Sequence, residues 1–297
     1  MSAPSVSAPM PQATTIHDLG YQRYDGAREG ARGARRALFW QGFRGMFGVG
    51  RPARAKAIPV FLIAVSLLPC LGALVASSAT QGQMPITYAG FIGPALLLHV
   101  LFAAAQAPEV LSRDQQHRVL PLILTRDVTR LQYAAARLAA VLCAMLVVTG
   151  APLLLLTVGQ IGIAADPAAA AVALAPKVGP VLLQGTLTAW VIGGLASALA
   201  SLTARRAYAS ASIIGVFLTA AAVSAGLDDL TGISSVVADL IDPIRSLNTM
   251  LRILFDEPTR AMELTPPPSL WVFVAMALAL GAVGVAGTCW RIRRVRV

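Results

Sequence analysis

Apolar residues in this chain come in six long blocks separated by polar connections. They run from about Ala57 to Ala79, Tyr88 to Ala107, Ala134 to Val158, Val178 to Leu202, Tyr208 to Leu227 and Leu270 to Trp290. Each supplies the roughly 20 residues that a helix needs to cross about 30 Å of hydrocarbon. A helix also satisfies its own backbone hydrogen bonds, as lipid demands. The pattern predicts an all-α polytopic membrane protein with six transmembrane helices spread over 57–297. Pro59 and Pro69 in the first span, and Gly150 and Pro152 in the third, predict bends.

Two further patterns flank and interrupt these blocks. Over 27–56, Arg28, Arg32, Arg35, Arg36 and Arg44 are interleaved with Leu38, Phe39, Trp40, Phe43, Met46 and Phe47. The apolar residues are too few and too interrupted to span a bilayer, so the segment reads as a basic amphipathic helix lying among lipid headgroups. Gly30, Gly33, Gly42 and Gly45 weaken it as a helix. Residues 1–26, rich in Ser, Ala, Pro and Thr, read as a disordered tail. Between the fifth and sixth blocks, Ile233, Val236, Val237, Leu240, Ile241, Ile244, Leu247, Leu251 and Leu254 recur at helical spacing. Asp242-Pro243 divides that run, with Asp242 as N-cap and Pro243 in the first turn of a second helix. These amphipathic outer helices read either as a lid or gate, or as plain interfacial helices.

Charge sets the orientation. The chain is 56% hydrophobic and 13% charged, with a net charge of +10 and a mean hydropathy of +0.69. With six spans both termini share one side. Twenty of the 24 Lys and Arg residues fall there, and only Lys177, Arg245, Arg252 and Arg260 fall on the other. The positive-inside rule makes the first side cytoplasmic. The basic balance is therefore read as topology and lipid headgroup contact, with membrane lipid as a partner and no nucleic acid. The opposite side carries Asp166, Asp228, Asp229, Asp239, Asp242, Asp256, Glu257 and Glu263.

Little in the chain points to catalysis. No glycine-rich loop ends in Gly-Lys-Ser or Gly-Lys-Thr, so the chain is not expected to hydrolyse ATP. Neither HExxH nor GxSxG occurs. Cys70, Cys143 and Cys289 lie far apart in apolar surroundings, with neither metal-ligand nor disulfide spacing, and no cofactor is expected. No Asp or Glu lies deep in a span, which argues against a secondary transporter coupled to an ion gradient. His99 is the ionisable side chain well inside a span. It and the cluster of Gln184, Thr186, Thr188 and Trp190 are read as either a substrate pathway or polar packing between helices.

The most informative stretch is Pro108–Arg137, a charged island between the second and third spans. Glu109 closes the second span, and Ser112-Arg113-Asp114 follows. Arg118 precedes a short apolar run containing Leu120 and Leu122. Arg126 and Arg130 then lead to Tyr133 and Arg137 at the mouth of the third span. This order resembles the type-2 permease family of bacterial ATP-binding cassette (ABC) transporters, whose loop often reads Glu-x-x-Ser-Arg-Asp, an apolar run, then Arg-Pro-x-Ser-Arg and Tyr. Asp127 stands where Pro is common, and Thr129 where Ser is common. The layout is similar too: a basic helix before the first span, six spans, and outer helices between spans five and six.

The resemblance implies a cytoplasmic coupling helix between spans two and three that docks a separate ABC ATPase subunit. Glu109, Ser112, Arg113, Asp114, Arg118, Leu120, Leu122, Arg126 and Arg130 would form that contact, with the N-terminal helix and the Arg205-Arg206 turn as secondary contacts. It further implies a second permease subunit, identical or related, and export of a hydrophobic or amphipathic compound across the bacterial plasma membrane. An ion-gradient-driven transporter, a membrane enzyme and a non-transporting sensor or immunity subunit are the alternatives.

Overall fold

A computed structural model describes residues 26, 30–80, 86–125, 128–231, 235–258 and 269–295. Every regular element among them is helical: α1 (Gly30–Met46), α2 (Ala53–Ala79), α3 (Tyr88–Gln116), α4 (Leu120–Leu124), α5 (Arg130–Ile163), α6 (Pro167–Leu174), α7 (Val178–Leu202), α8 (Arg206–Thr231), α9 (Ser235–Ile241), α10 (Pro243–Leu254) and α11 (Leu270–Arg294). A 3-10 turn, Ala175–Lys177, joins α6 to α7. Six helical stretches among the described residues are long and apolar enough to cross a membrane: α2, α3, α5, the joined α6–α7, α8 and α11. This is a multi-pass membrane architecture. Residues 1–25, expected as a tail, and Arg28 lie outside the described residues.

Each of the six long helical stretches covers one apolar block of the sequence, and several run past it. α3 extends beyond Ala107 through Pro108 to Gln116, and α5 begins at Arg130 and ends at Ile163. Hydropathy marks where the chain is apolar. The backbone continues as long as each new turn finds partners, and the charged turns at the end of α3 find them inside the protein. Helices α2 and α5 run unbroken through Pro59, Pro69 and Pro152.

α7 is the central helix, packed against α3, α5, α8, α10 and α11. Its closest neighbour is α11, where glycines replace side chains. A Cβ on Gly194 would lie 2.9 Å from the Gly281 carbonyl oxygen, and one on Gly284 would overlap the Gly194 backbone. Small residues of this kind let membrane helices approach closely, and close approach is what drives their association in lipid. One core cluster runs through Leu96, Phe102, Met145, Ile192 and Phe273. A smaller one gathers Tyr88, Ile92, Leu153, Leu156 and Leu251.

Local signals set several helix starts. Thr129 Oγ1 accepts from the Gln132 N–H at 3.2 Å, and Gln132 Oε1 accepts from the Thr129 N–H at 3.1 Å, which makes a capping box for α5. Asp166 caps α6 through the Ala168 and Ala169 N–H groups. Asp242 caps α10 through the Ile244 N–H at 2.9 Å, with Pro243 in the first turn, as the sequence predicted.

α1 also corrects an expectation. Its glycines do not prevent the helix, and Gly42 has a packing role. A Cβ there would come within 2.9 Å of the Ala140 Cβ and 3.3 Å of Arg137, so Gly42 marks where α1 crosses α5. Phe39, Trp40, Phe43 and Phe47 form a chain of ring contacts along α1, and Phe47 continues it to Phe102 of α3 at 6.2 Å between centroids.

α10 is not peripheral to the bundle. Leu247, Met250 and Leu251 are buried, and the helix packs against α3, α7, α8 and α11. Beyond it, Phe255 stacks on Tyr88 with centroids 3.9 Å apart, and Glu257 accepts from the Ala89 N–H in the first turn of α3.

Candidate functional site

The end of α3 is a hub of buried charge. Glu109 is paired with Arg51 at 3.2 Å, with Arg113 at 3.7 Å and with Arg206, although its own side chain is only 8% exposed. One turn on, Asp114 Oδ2 accepts from Arg137 Nη2 at 2.6 Å and from the Tyr133 hydroxyl at 2.7 Å. Arg137 reaches on to α1, donating to the Leu38 carbonyl and to Gln41 Oε1. Ser112 Oγ donates to the Ala200 carbonyl at 2.7 Å, and Gln115 Nε2 donates to the Ser201 carbonyl at 3.1 Å. The last turns of α3 are thus fastened to α1, α5, α7, α8 and the connection before α2.

Burial makes these ties consequential. Removing one partner of a buried ion pair costs about 3–5 kcal/mol, because a desolvated charge is left behind. Burial pulls the Arg51 guanidinium below its usual value, Glu109 opposes that, and the neighbouring Arg113 and Arg206 add to it.

The sequence expectation treated Glu109, Ser112 and Asp114 as groups facing a partner. The structure turns them inward, and Leu120 is buried beside them. Arg113, Arg118, Leu122 and Arg130 do face outward, and Leu122 is 70% exposed. Arg130 Nη1 donates to the Arg293 carbonyl at 3.0 Å, joining α5 to the end of α11. Arg126, with Asp127 at the turn where the sequence departs from the family pattern, lies outside the described residues.

The chain turns from α3 into α4 at Arg118, whose φ of +50° lies in the left-handed region. Gln-His-Arg-Val has no Gly or Asn to announce that turn. Between α1 and α4 lies an apolar groove of about 440 Å³, lined by Ala34, Leu38, Leu122, Ile123 and Val128 among others. A second, polar cleft of about 580 Å³ lies between α1, the 47–52 connection and the end of α3.

The pathway candidates sit elsewhere, inside the bundle. Gln184 Nε2 donates to Thr188 Oγ1 at 3.3 Å and to the Leu247 carbonyl at 3.1 Å, joining α7 to α10. Trp190 Nε1 donates to the Leu278 carbonyl and joins α7 to α11. His99 is buried, with neither ring nitrogen partnered among the described residues. All of His99, Gln184 and Thr188 therefore face the interior of a single chain.

Buried carboxylates exist too, supplied by the segment between the last two spans. Asp239 pairs with Arg245 at 3.0 Å and accepts from Thr249 Oγ1 at 2.7 Å. Burial pushes the Asp242 carboxyl up, against the hydrogen bonds of its capping role and the charge of Arg245. The absence of acidic residues from deep within the apolar blocks thus does not leave the bundle free of them.

Arg51, Arg206 and Tyr133 are the hub residues whose roles the sequence did not reveal. Each is remote in the chain from its carboxylate, so no local spacing could have exposed the pairing. Compared with known proteins, the chain matches no family model, and no curated protein matches it.

Proposed function

We propose that this chain is the permease subunit of an ATP-binding cassette exporter, with α4 as the coupling helix that docks a separate ATPase subunit. The observation that carries this reading is the apolar α1–α4 groove with Leu122 projecting beside it, at the charged end of α3. An apolar surface of this kind supplies burial to a contact, at about 25 cal/mol per Å². The exposed guanidiniums of Arg113 and Arg118 would set its register and speed its formation. The hub then has a mechanical use. Force applied at α4 reaches α3 across a single turn, and from there α1, α5, α7 and α8 through the ties of Glu109, Ser112, Asp114 and Gln115.

In this reading both termini are cytoplasmic, α1 lies along the inner surface of the plasma membrane, and α10 closes the outer side of the bundle. Two permease subunits enclose the path for a hydrophobic or amphipathic compound. His99, Gln184 and Thr188 face the inside of one subunit, so they serve the bundle rather than line a path between subunits.

The test is mild-detergent purification from native membranes, with identification of the chains that co-purify. An ATPase subunit is expected. Leu122→Glu and Arg118→Glu should each reduce its retention about tenfold while the permease stays inserted. Asp114 is unsuitable for such a test, because its loss strands Arg137. Reconstituted vesicles should move substrate only with ATP and the partner. Transport driven by an ion gradient without a partner would refute the proposal, and ATP hydrolysis without transport would turn it towards a sensor or immunity subunit.

A further inference from the structure

The polar cleft beside the hub has a charge imbalance that the fold does not use. Two carboxylates, Glu109 and Asp114, line it beside the guanidiniums of Arg51, Arg113 and Arg137, and a fourth, Arg206, reaches Glu109 from outside the lining. Arg51, Arg113 and Arg206 converge on the first, and Arg137 pairs with the second. The arginine side of this cluster is in excess, and Arg113 and Arg206 each disfavour the charged form of Arg51 for that reason. Two of the four keep donors to spare. Arg113 is 55% exposed and held only at 3.7 Å from Glu109. Arg137 Nε is buried and has no hydrogen-bond partner among the described residues. Both line the cleft, as does His117, and its opposite wall sets Gly42, Gly45 and Gly50 among Gln41 and Val49. Its volume of about 580 Å³ falls within the ~300–1,000 Å³ usual for small-molecule sites.

We infer that this cleft binds the phosphate group of an anionic membrane lipid. Guanidinium forks match phosphate oxygens in geometry and charge. The neighbourhood of the cleft argues for lipid as the source. Val49 at its mouth is exposed, and so are Ile58, Val60 and Phe61 in the opening turns of α2, just past Arg51. A phosphate held at the exposed Arg113, with the buried Arg137 adding positive charge in the wall behind it, would leave acyl chains free to lie on that apolar surface. α1 frames the cleft with Gln41, Gly42 and Gly45, and it carries Trp40 with the Arg44 guanidinium 5.8 Å from its ring. That is the mixture of aromatic and basic groups that settles at headgroup depth. The inference needs only the membrane placement and does not depend on an ATPase partner.

Purified full-length protein in detergent provides the test, with phosphatidylglycerol, phosphatidylcholine or inorganic phosphate added. Native mass spectrometry and thermal unfolding are the readouts. Phosphatidylglycerol should bind and raise the unfolding midpoint, and phosphatidylcholine should do so at least about tenfold more weakly. The paired substitution Arg113→Ala and His117→Ala, both at exposed positions, should abolish that preference. Arg293→Ala, which removes an equal charge from the exposed end of α11, should preserve it. If inorganic phosphate alone reproduces both the shift and its loss in the paired variant, the phosphate site stands and its source is the free anion. Equal binding of the two lipids, or a preference untouched by the paired variant, would overturn the proposal.

Discussion

Asp242 shows how one side chain can be both required and costly. It caps α10 and is buried, and burial raises its carboxyl above the usual range. A group whose folded value is raised contributes stability below its unfolded value, near pH 4, and loses that contribution as pH rises through the folded value. At neutral pH the protein therefore carries the cost of the charge. Asp242→Asn keeps an oxygen to cap the helix and removes the charge. It should unfold at or above the wild-type temperature near pH 7, with the difference vanishing as pH falls to about 4. Asp242→Ala should instead lose about 1 kcal/mol near pH 4, because the cap is gone, and less near pH 7, where the cost of the charge goes with it. Thermal unfolding in detergent across pH distinguishes the two. The cap itself was legible in Asp242-Pro243, since capping is local. The inward turn of Glu109, Ser112 and Asp114 was not, because a run of charges reads as solvated until Arg51, Arg137 and Arg206 are brought to it.

At the scale of elements, the spans were legible because lipid imposes one solution on an apolar run of sufficient length. Their true ends were not. α3 gains its last turns from side-chain ties to Ala200, Ser201 and Arg206, far along the chain, and the turn at Arg118 has no sequence signature. The packing of helix on helix was hidden for a related reason. A glycine looks alike in the sequence whether it faces lipid or a backbone. Gly284 faces the Gly194 backbone, while Gly72 has open space around it. Gly284→Ala should therefore destabilise by about 1–3 kcal/mol through forced separation of α7 and α11. Gly72→Ala should be neutral or slightly stabilising, because alanine is the better helix former. Unfolding midpoints of the two variants make the comparison, and equal midpoints would contradict the close crossing.

For the whole molecule, the six spans place α4 and the hub at one end of the bundle, and Glu257 and Phe255 at the other. The proposed orientation puts the first end in the cytoplasm, the side on which the sequence concentrates Lys and Arg. Single cysteines at Thr125 and Pro258, in a background with Cys70, Cys143 and Cys289 replaced by Ala, should label oppositely with a membrane-impermeant maleimide. In intact cells the residue-258 thiol should react and the residue-125 thiol should not, and opening the cells should expose the second. The reverse pattern would invert the assignment and remove α4 from reach of any cytoplasmic ATPase.

The Glu109 junction also has a history within each molecule as it is made. Its cations come from the connection before α2, from α3 itself and from the start of α8. The chain is synthesised from its N-terminus, so Glu109 and Arg51 are made before Arg206. The last turns of α3 cannot reach their final anchorage until the fourth and fifth spans have been delivered. Quality-control proteases that sample half-built chains would therefore meet an α3 end lacking that anchorage, which gives unfinished copies a different surface from finished ones.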